Sequence, residues 1–84
     1  MHDKDDILKI ARMAIQEDPR ISDPTSIITS IRREGLIFNR RIVLQIDGTV
    51  GSAYEIDDVE RSVSHRLPNV EIENNVVPRS PRGL

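Results

Sequence analysis

Apolar residues recur along this chain with two different periods. Ile7, Ile10, Ala11, Ala14 and Ile15 fall at three- and four-residue steps, the spacing of one face of an α-helix. Lys4, Lys9 and Glu17 lie off that stripe. Asp5 or Asp6 is placed to cap the helix by accepting orphan backbone N–H groups. Pro19 ends it, because the residue before a proline avoids helical geometry. A helix is expected from Asp5 or Asp6 to Glu17. A second helical stripe, Ile56, Val59, Val63 and Leu67, follows Ser52-Ala53-Tyr54-Glu55. That tetrapeptide reads as a capping box, with Ser52 accepting from the third helical N–H and Glu55 reaching back. Pro68-Asn69 closes this second helix.

The other period is two. Leu44, Ile46 and Val50 alternate, with Gly48 where the next apolar residue would fall. A glycine there predicts a bulge or the close approach of a helix, and Gly51 permits the turn into Ser52. Val70-Glu71-Ile72-Glu73 alternates as a half-buried strand that continues to about Val77, where Pro78 stops it. Leu36–Phe38 and Arg41–Val50 read as the two strands of a hairpin with Asn39-Arg40 at its turn. The segment 24–34 carries two signals. Asp23-Pro24, Arg32-Arg33 and Gly35 suit a short helix with its start and stop residues. Ile27-Ile28-Thr29-Ser30-Ile31 is rich in β-branched residues and suits a strand. Local signals lean to the helix. The tail 79–84 is polar, broken by Pro81 and Gly83, and expected to be mobile. The pattern therefore predicts an α+β fold of αββαβ type: a hairpin plus a third strand, covered on one face by two helices, with an extra short helix over 24–34 as one alternative.

Eighty-four residues make one domain, 1–84, with a core over about 5–77. A chain of this size buries roughly 60–65 % of its unfolded surface, enough for one modest core. Hydrophobic residues at 37 % and charged residues at 31 % favour a folded domain over disorder. Phe38 and Tyr54 are the aromatic residues, so the core must be built from Ile, Leu, Val and Ala. With no cysteine, disulfides, thiolate metal sites and a cysteine nucleophile are excluded. No apolar run approaches the roughly 18 residues of a membrane span, and Met1–Asp6 is too acidic for a signal peptide.

Net charge is −2, but it is unevenly spread. Residues 24–46 hold Arg32, Arg33, Arg40 and Arg41 against Glu34, while 47–73 hold seven carboxylates against Arg61 and Arg66. The four arginines are the candidate binding residues, because guanidinium groups offer forked donors to phosphate. The plainer alternative, that they solvate an exposed edge and deter strand-to-strand aggregation, is preferred because exposed charge usually has no partner. Asp57, Asp58 and Glu60 lie on a helix rather than on the curved loop that calcium requires, so no metal site is expected. His65 suits a helix C-terminus. Gly48 and Gly51 do not make a dinucleotide fingerprint, which needs three spaced glycines. No nucleophile has a base that the fold would bring close, so neither catalytic residues nor a cofactor is expected. Nucleic acid is not an expected partner, since RNA-binding sheets need aromatic platforms and Phe38 alone is available.

Leu44, Ile46, Gly48, Thr49 and Val50, then Leu67-Pro68-Asn69-Val70 and Asn74-Asn75-Val76, together with an opening helix ending Glu17-Asp18-Pro19-Arg20-Ile21, resemble the BON domain, a small bacterial module. The resemblance covers residues 5–77. The connection from Ile21 to Leu44 is longer than the family's, and the helix from Ser52 carries about one extra residue. The resemblance implies an αββαβ fold, with a strand where local signals favour a helix over 24–34. It also implies a non-catalytic module binding phospholipid or the membrane surface in the periplasm or cell envelope. Arg32, Arg33, Arg40 and Arg41 would then meet anionic headgroups, with Gly48, Ser52 and Glu55 in structural roles. The alternative is a protein–protein or self-assembly module, oligomeric if it self-associates. A cytoplasmic location is expected if the chain is complete as given.

Overall fold

The computed structural model describes residues 3–35 and 41–79. Helix α1 (Lys4–Glu17) leads through a single 3-10 turn (Pro24–Ser26) into strand β1 (Ile27–Glu34). Strand β2 (Arg41–Val50), helix α2 (Tyr54–Arg66), strand β3 (Glu71–Asn74) and the two-residue strand β4 (Val77–Pro78) follow. The fold is α+β, with a small open mixed sheet and the two helices packed against it. Strand β2 lies in the middle. It pairs antiparallel with β1, from Ile27 opposite Gly48 to Glu34 opposite Arg41. On its other side it pairs parallel with β3 and, further along, with β4. Parallel pairing requires a crossover, and α2 supplies it.

Both helices bury the stripes their spacing predicts. Ile7, Ala11, Ala14 and Ile15 of α1 meet Val59 and Val63 of α2, Leu67, and Leu44, Ile46 and Val50 of β2 in one core that also includes Ile21 and Val76. The N-cap of α1 is Asp3 rather than Asp5 or Asp6; its carboxylate accepts from Asp6 N–H at 2.9 Å. Asp5 and Asp6 occupy the first turn, where negative charge is favourable.

The segment 24–34 is a strand preceded by one helical turn. Asp23 does start that turn: its carboxylate accepts from the Thr25 and Ser26 hydroxyls, each at 2.7 Å. The turn then stops, and period two brings Ile27, Thr29 and Ile31 to the helix-covered face. Tertiary pairing with β2 over eight positions outweighs the local helix signals, and the β-branched run suits a pleated surface. The strand that pairs antiparallel with β2 is thus Ile27–Glu34. Leu36–Phe38 and the Asn39-Arg40 turn lie outside the described residues.

The capping box at α2 is also replaced. Ser52 uses its carbonyl, which accepts from Glu55 N–H at 3.1 Å, and Ala53 at the N-cap position makes no side-chain cap. The Glu55 carboxylate turns inward, 8 % exposed, and accepts from Ser22 N–H at 2.9 Å and Ser22 Oγ at 3.1 Å. The start of α2 is therefore tied to the loop after α1. Gly51 makes room for this tie, since a Cβ there would lie 2.6 Å from Ser22 Oγ and 2.8 Å from Glu55 Oε2.

The last strand breaks at Asn75-Val76. Asn74 bridges the break, donating to the Ile56 carbonyl of α2 and accepting from Val76 N–H. Arg79, expected in the loose tail, is anchored instead. Its N–H donates to the Val50 carbonyl at 2.7 Å and its guanidinium pairs with Asp23 at 3.0 Å.

Gly48 is not a bulge, because β1 pairs through it without a slip in register. What it admits is the 3-10 turn: its φ is +111°, and a Cβ would overlap the Ser26 carbonyl oxygen. Gly48→Ala is expected to destabilise the chain by at least about 2 kcal/mol, from positive-φ strain and backbone displacement together. Urea unfolding should show a lowered midpoint with an unchanged slope.

Candidate functional site

The sheet face turned away from the helices carries two of the four predicted binding residues, Arg32 and Arg41. Its positions follow from register: Ile28, Ser30, Arg32 and Glu34 on β1, Arg41, Val43, Gln45 and Asp47 on β2, Glu71 and Glu73 on β3. Strands bring cross-strand neighbours to about 5 Å, so charges far apart in sequence become a ladder. Arg32 lies at its centre. Its guanidinium pairs with Glu73 at 2.5 Å and Glu34 at 2.6 Å, and donates to Gln45 Oε1 at 2.9 Å. Arg41 pairs with Glu34 at 3.0 Å and Glu71 at 3.4 Å. Gln45 in turn donates to Asp47 at 2.9 Å. Val43, in the same row, is 1 % exposed.

These four predicted arginines do not converge. Arg32 and Arg41 share the outer face and Glu34. Arg33, opposite Ile42, belongs to the other face. Arg40 lies outside the described residues. The positive charge of Arg32 and Arg41 is met by strand β3, which lays Glu73 and Glu71 alongside them. On this face two arginines meet four carboxylates. The forks that would bind phosphate are occupied by protein carboxylates, a geometry that guanidinium and carboxylate share.

A second polar group lines an open groove of about 460 Å³ where the C-terminal ends of α1 and α2 meet. Asp18, whose side chain is 6 % exposed, accepts from Arg20 N–H, Nε and Nη2, and from the Ser62 hydroxyl of α2. Bonding from Arg20, and then from Ser62, holds its carboxyl well below the usual carboxylate range against the opposing effect of burial. Arg66 pairs with Glu17 at 2.5 Å across the groove. Asp58, expected as a solvated helix residue, lies between Arg20 and Arg61 at 3.7 Å from each. His65 is exposed in the last turn of α2. The polar side chains here fasten α1 to α2.

The third feature was not legible as a site. Strand β1 is an edge: among the described residues nothing pairs with it on the side away from β2. Arg12 of α1 reaches this edge and donates to Thr29 Oγ1 at 3.3 Å. A shallow recess of about 150 Å³ opens beside it, lined by Arg12, Gln16, Pro24, Thr25, Ile27 and Thr29. Ile28 lies on the outer face of the same edge and is 63 % exposed.

No protein-family model matches the chain. No curated protein and no solved structure matches it.

The ladder makes a titration prediction. Arg32, helped by Asn75, pulls the Glu73 carboxyl down to about 2, and Arg41 lowers that of Glu34. A carboxyl lowered on folding contributes stability above its unfolded value and loses it as pH falls towards the folded one. The Glu73 pair is therefore expected to stabilise the fold fully above about pH 4.5 and to lose that effect as pH falls from there to about 2; the Glu34 pairs change in the same direction. Carboxyl-detected NMR titration should give Glu73 a midpoint near 2 in the unaltered chain. In Arg32→Gln the midpoint should move back towards the ordinary glutamate value.

Proposed function

We propose that this chain is a non-catalytic binding module whose partner is another protein. The observation that carries this reading is the eight-residue strand β1, hydrogen-bonded on one side only among the described residues, with Ile28 standing exposed on it. An unpaired strand edge offers a row of backbone donors and acceptors to another chain. Elsewhere polar side chains are engaged with one another: Asp18, Arg20 and Ser62 are bonded together along the wall of the groove between the helix ends, and the outer sheet face holds its own ion pairs.

The phospholipid reading, implied by the BON resemblance together with a periplasmic or envelope location, is the second. The αββαβ order agrees with the fold that the resemblance implies. In favour of an anionic surface is the group Lys4, Lys9, Arg12 and Arg33, none of which has a carboxylate within ion-pair distance among the described residues. Each cation near an anionic bilayer contributes about 1 kcal/mol. Against it, two of the four arginines singled out in the sequence are neutralised on the sheet. No helix among the described residues is long and apolar enough to cross a membrane.

A photo-crosslinking side chain separates the readings. Placed at position 28, it is expected to give a discrete protein adduct in an extract of the host cell, and none when placed at Glu60 on the exposed side of α2. Sedimentation with phosphatidylglycerol and phosphatidylcholine vesicles runs in parallel. Strong, salt-sensitive binding to the anionic vesicles, with no adduct at position 28, would replace the protein reading with the lipid one.

A further inference from the structure

We propose that the free edge of β1 takes up an extended acidic peptide segment as an added strand, with acidic side chains four residues apart gripped by Arg12 and Arg33. The proposal rests on the protein-partner reading and names the chemistry of that partner.

Three observations converge on this edge. The first is that, among the described residues, the edge is open and little protected. Natural edge strands are blunted by charges, prolines or bulges. Along Ile27-Ile28-Thr29-Ser30-Ile31 there is no charge and no proline, and the register with β2 is unbroken. Charge begins only at Arg32, which is occupied by Glu73 and Glu34.

The second is where unpaired cations lie. Of the eight described arginines, Arg20, Arg32, Arg41, Arg61, Arg66 and Arg79 each sit within ion-pair distance of a carboxylate. Arg12 and Arg33 do not, although all fourteen Asp and Glu side chains of the chain belong to described residues. These two arginines are the ones at the β1 edge: Arg12 hydrogen-bonds Thr29, and Arg33 is itself in β1. Lys9 lies three residues before Arg12 on α1 and is likewise exposed and unpaired among the described residues. Among the described residues, the edge is thus lined by positive charge that no Asp or Glu side chain matches.

The third is spacing. Thr29 and Arg33 are four residues apart, an even step that keeps both on the helix-covered side of the strand. Ile31 lies between them on that side, and Ile27 and Thr29 border the recess beside Arg12. An added strand would therefore present, on its helix side, an acidic residue near Arg12, an apolar residue beside Ile31 and a second acidic residue near Arg33. The two acids are separated by about 13 Å along the strand. On its outer side it would cover Ile28.

A second copy of this chain fits poorly. Its β1 carries no acidic residue on the helix side, where Ile27, Thr29, Ile31 and Arg33 stand. Two-fold pairing of β1 with itself would bring Arg12 and Arg33 of both copies together, and like charges across an interface oppose association.

The probe is a blocked, fluorescently labelled peptide of sequence Thr-Val-Glu-Thr-Val-Thr-Glu-Val-Thr, compared with the same peptide carrying Lys in place of both Glu residues. Fluorescence anisotropy with the full chain at low salt should show binding of the acidic peptide and none of the basic one. Hydrogen exchange should show slowed amides confined to β1. Charge reversal by Arg12→Glu with Arg33→Glu, both exposed positions, should weaken the acidic peptide at least tenfold and create binding of the basic one. Arg33→Glu alone, with circular dichroism confirming the fold, should give the same direction of change and guards against any loss of the Arg12–Thr29 bond.

Binding of the two peptides that does not respond to charge reversal, protection that falls elsewhere than β1, or no binding of the acidic peptide would overturn the strand-addition proposal. A position-28 protein adduct alongside such a result would leave the protein-partner reading standing. Formation of dimers in light scattering through a protected β1 edge would make a second copy the occupant and overturn the acidic-peptide assignment. Protection of β1 by phosphatidylglycerol vesicles with no peptide binding would overturn both this proposal and the reading it rests on.

Discussion

The structure depends on β2 being paired along both of its edges. No other strand touches more than this one: β1 lies on one side, β3 and β4 on the other. Its core face, Leu44, Ile46 and Val50, is fully covered, and Gly48 in the same phase lets the turn before β1 lie against the backbone. Because side chains alternate strictly along a strand, a slip of one residue would expose these apolar groups and bury Gln45 and Asp47. The whole arrangement of helices and charges is keyed to that one register.

Polar chemistry in this molecule is largely a matter of arginine meeting carboxylate across distances in sequence. Arg32 finds Glu73, Arg41 finds Glu71, Arg66 finds Glu17 and Arg79 finds Asp23. Exposed pairs of this kind add little stability one at a time. Their larger effect is on what remains available: among the described residues, the two arginines left without a carboxylate, Arg12 and Arg33, both lie at strand β1. Asp18 and Glu55 are different. Both are buried carboxylates that fasten one element to another, Asp18 joining the end of α1 to α2, and Glu55 joining the start of α2 to Ser22.

The candidate site was only partly legible in the chain. The two arginine pairs were visible as a local excess of charge. Their neutralisation was not, because Glu71 and Glu73 come alongside only when α2 carries the chain across to form a parallel strand. Arg12 lies alone on the polar side of an amphipathic helix, where no sequence pattern marks it. Its contact with Thr29 depends on 24–34 being a strand, and local cap residues pointed the other way. The spacing of Glu55 from Ser52 fits a capping box. Nothing local reveals that Ser22, far away in sequence, offers a better pair of donors.

Periodicity alone determined the two helices, the central strand and the α+β class, since amphipathic stripes at 3.6 and 2 residues leave few other ways to bury Ile, Leu and Val. Proline and glycine positions bounded those elements within a few residues. The tertiary structure decided whether 24–34 became helix or strand, since eight backbone pairings with β2 outweigh the preferences of a few terminal residues. It also decided which charges were paired and which edge stayed open. Both depend on which strand lies beside which, and that order is set by the packing of the helices rather than by any short run of residues.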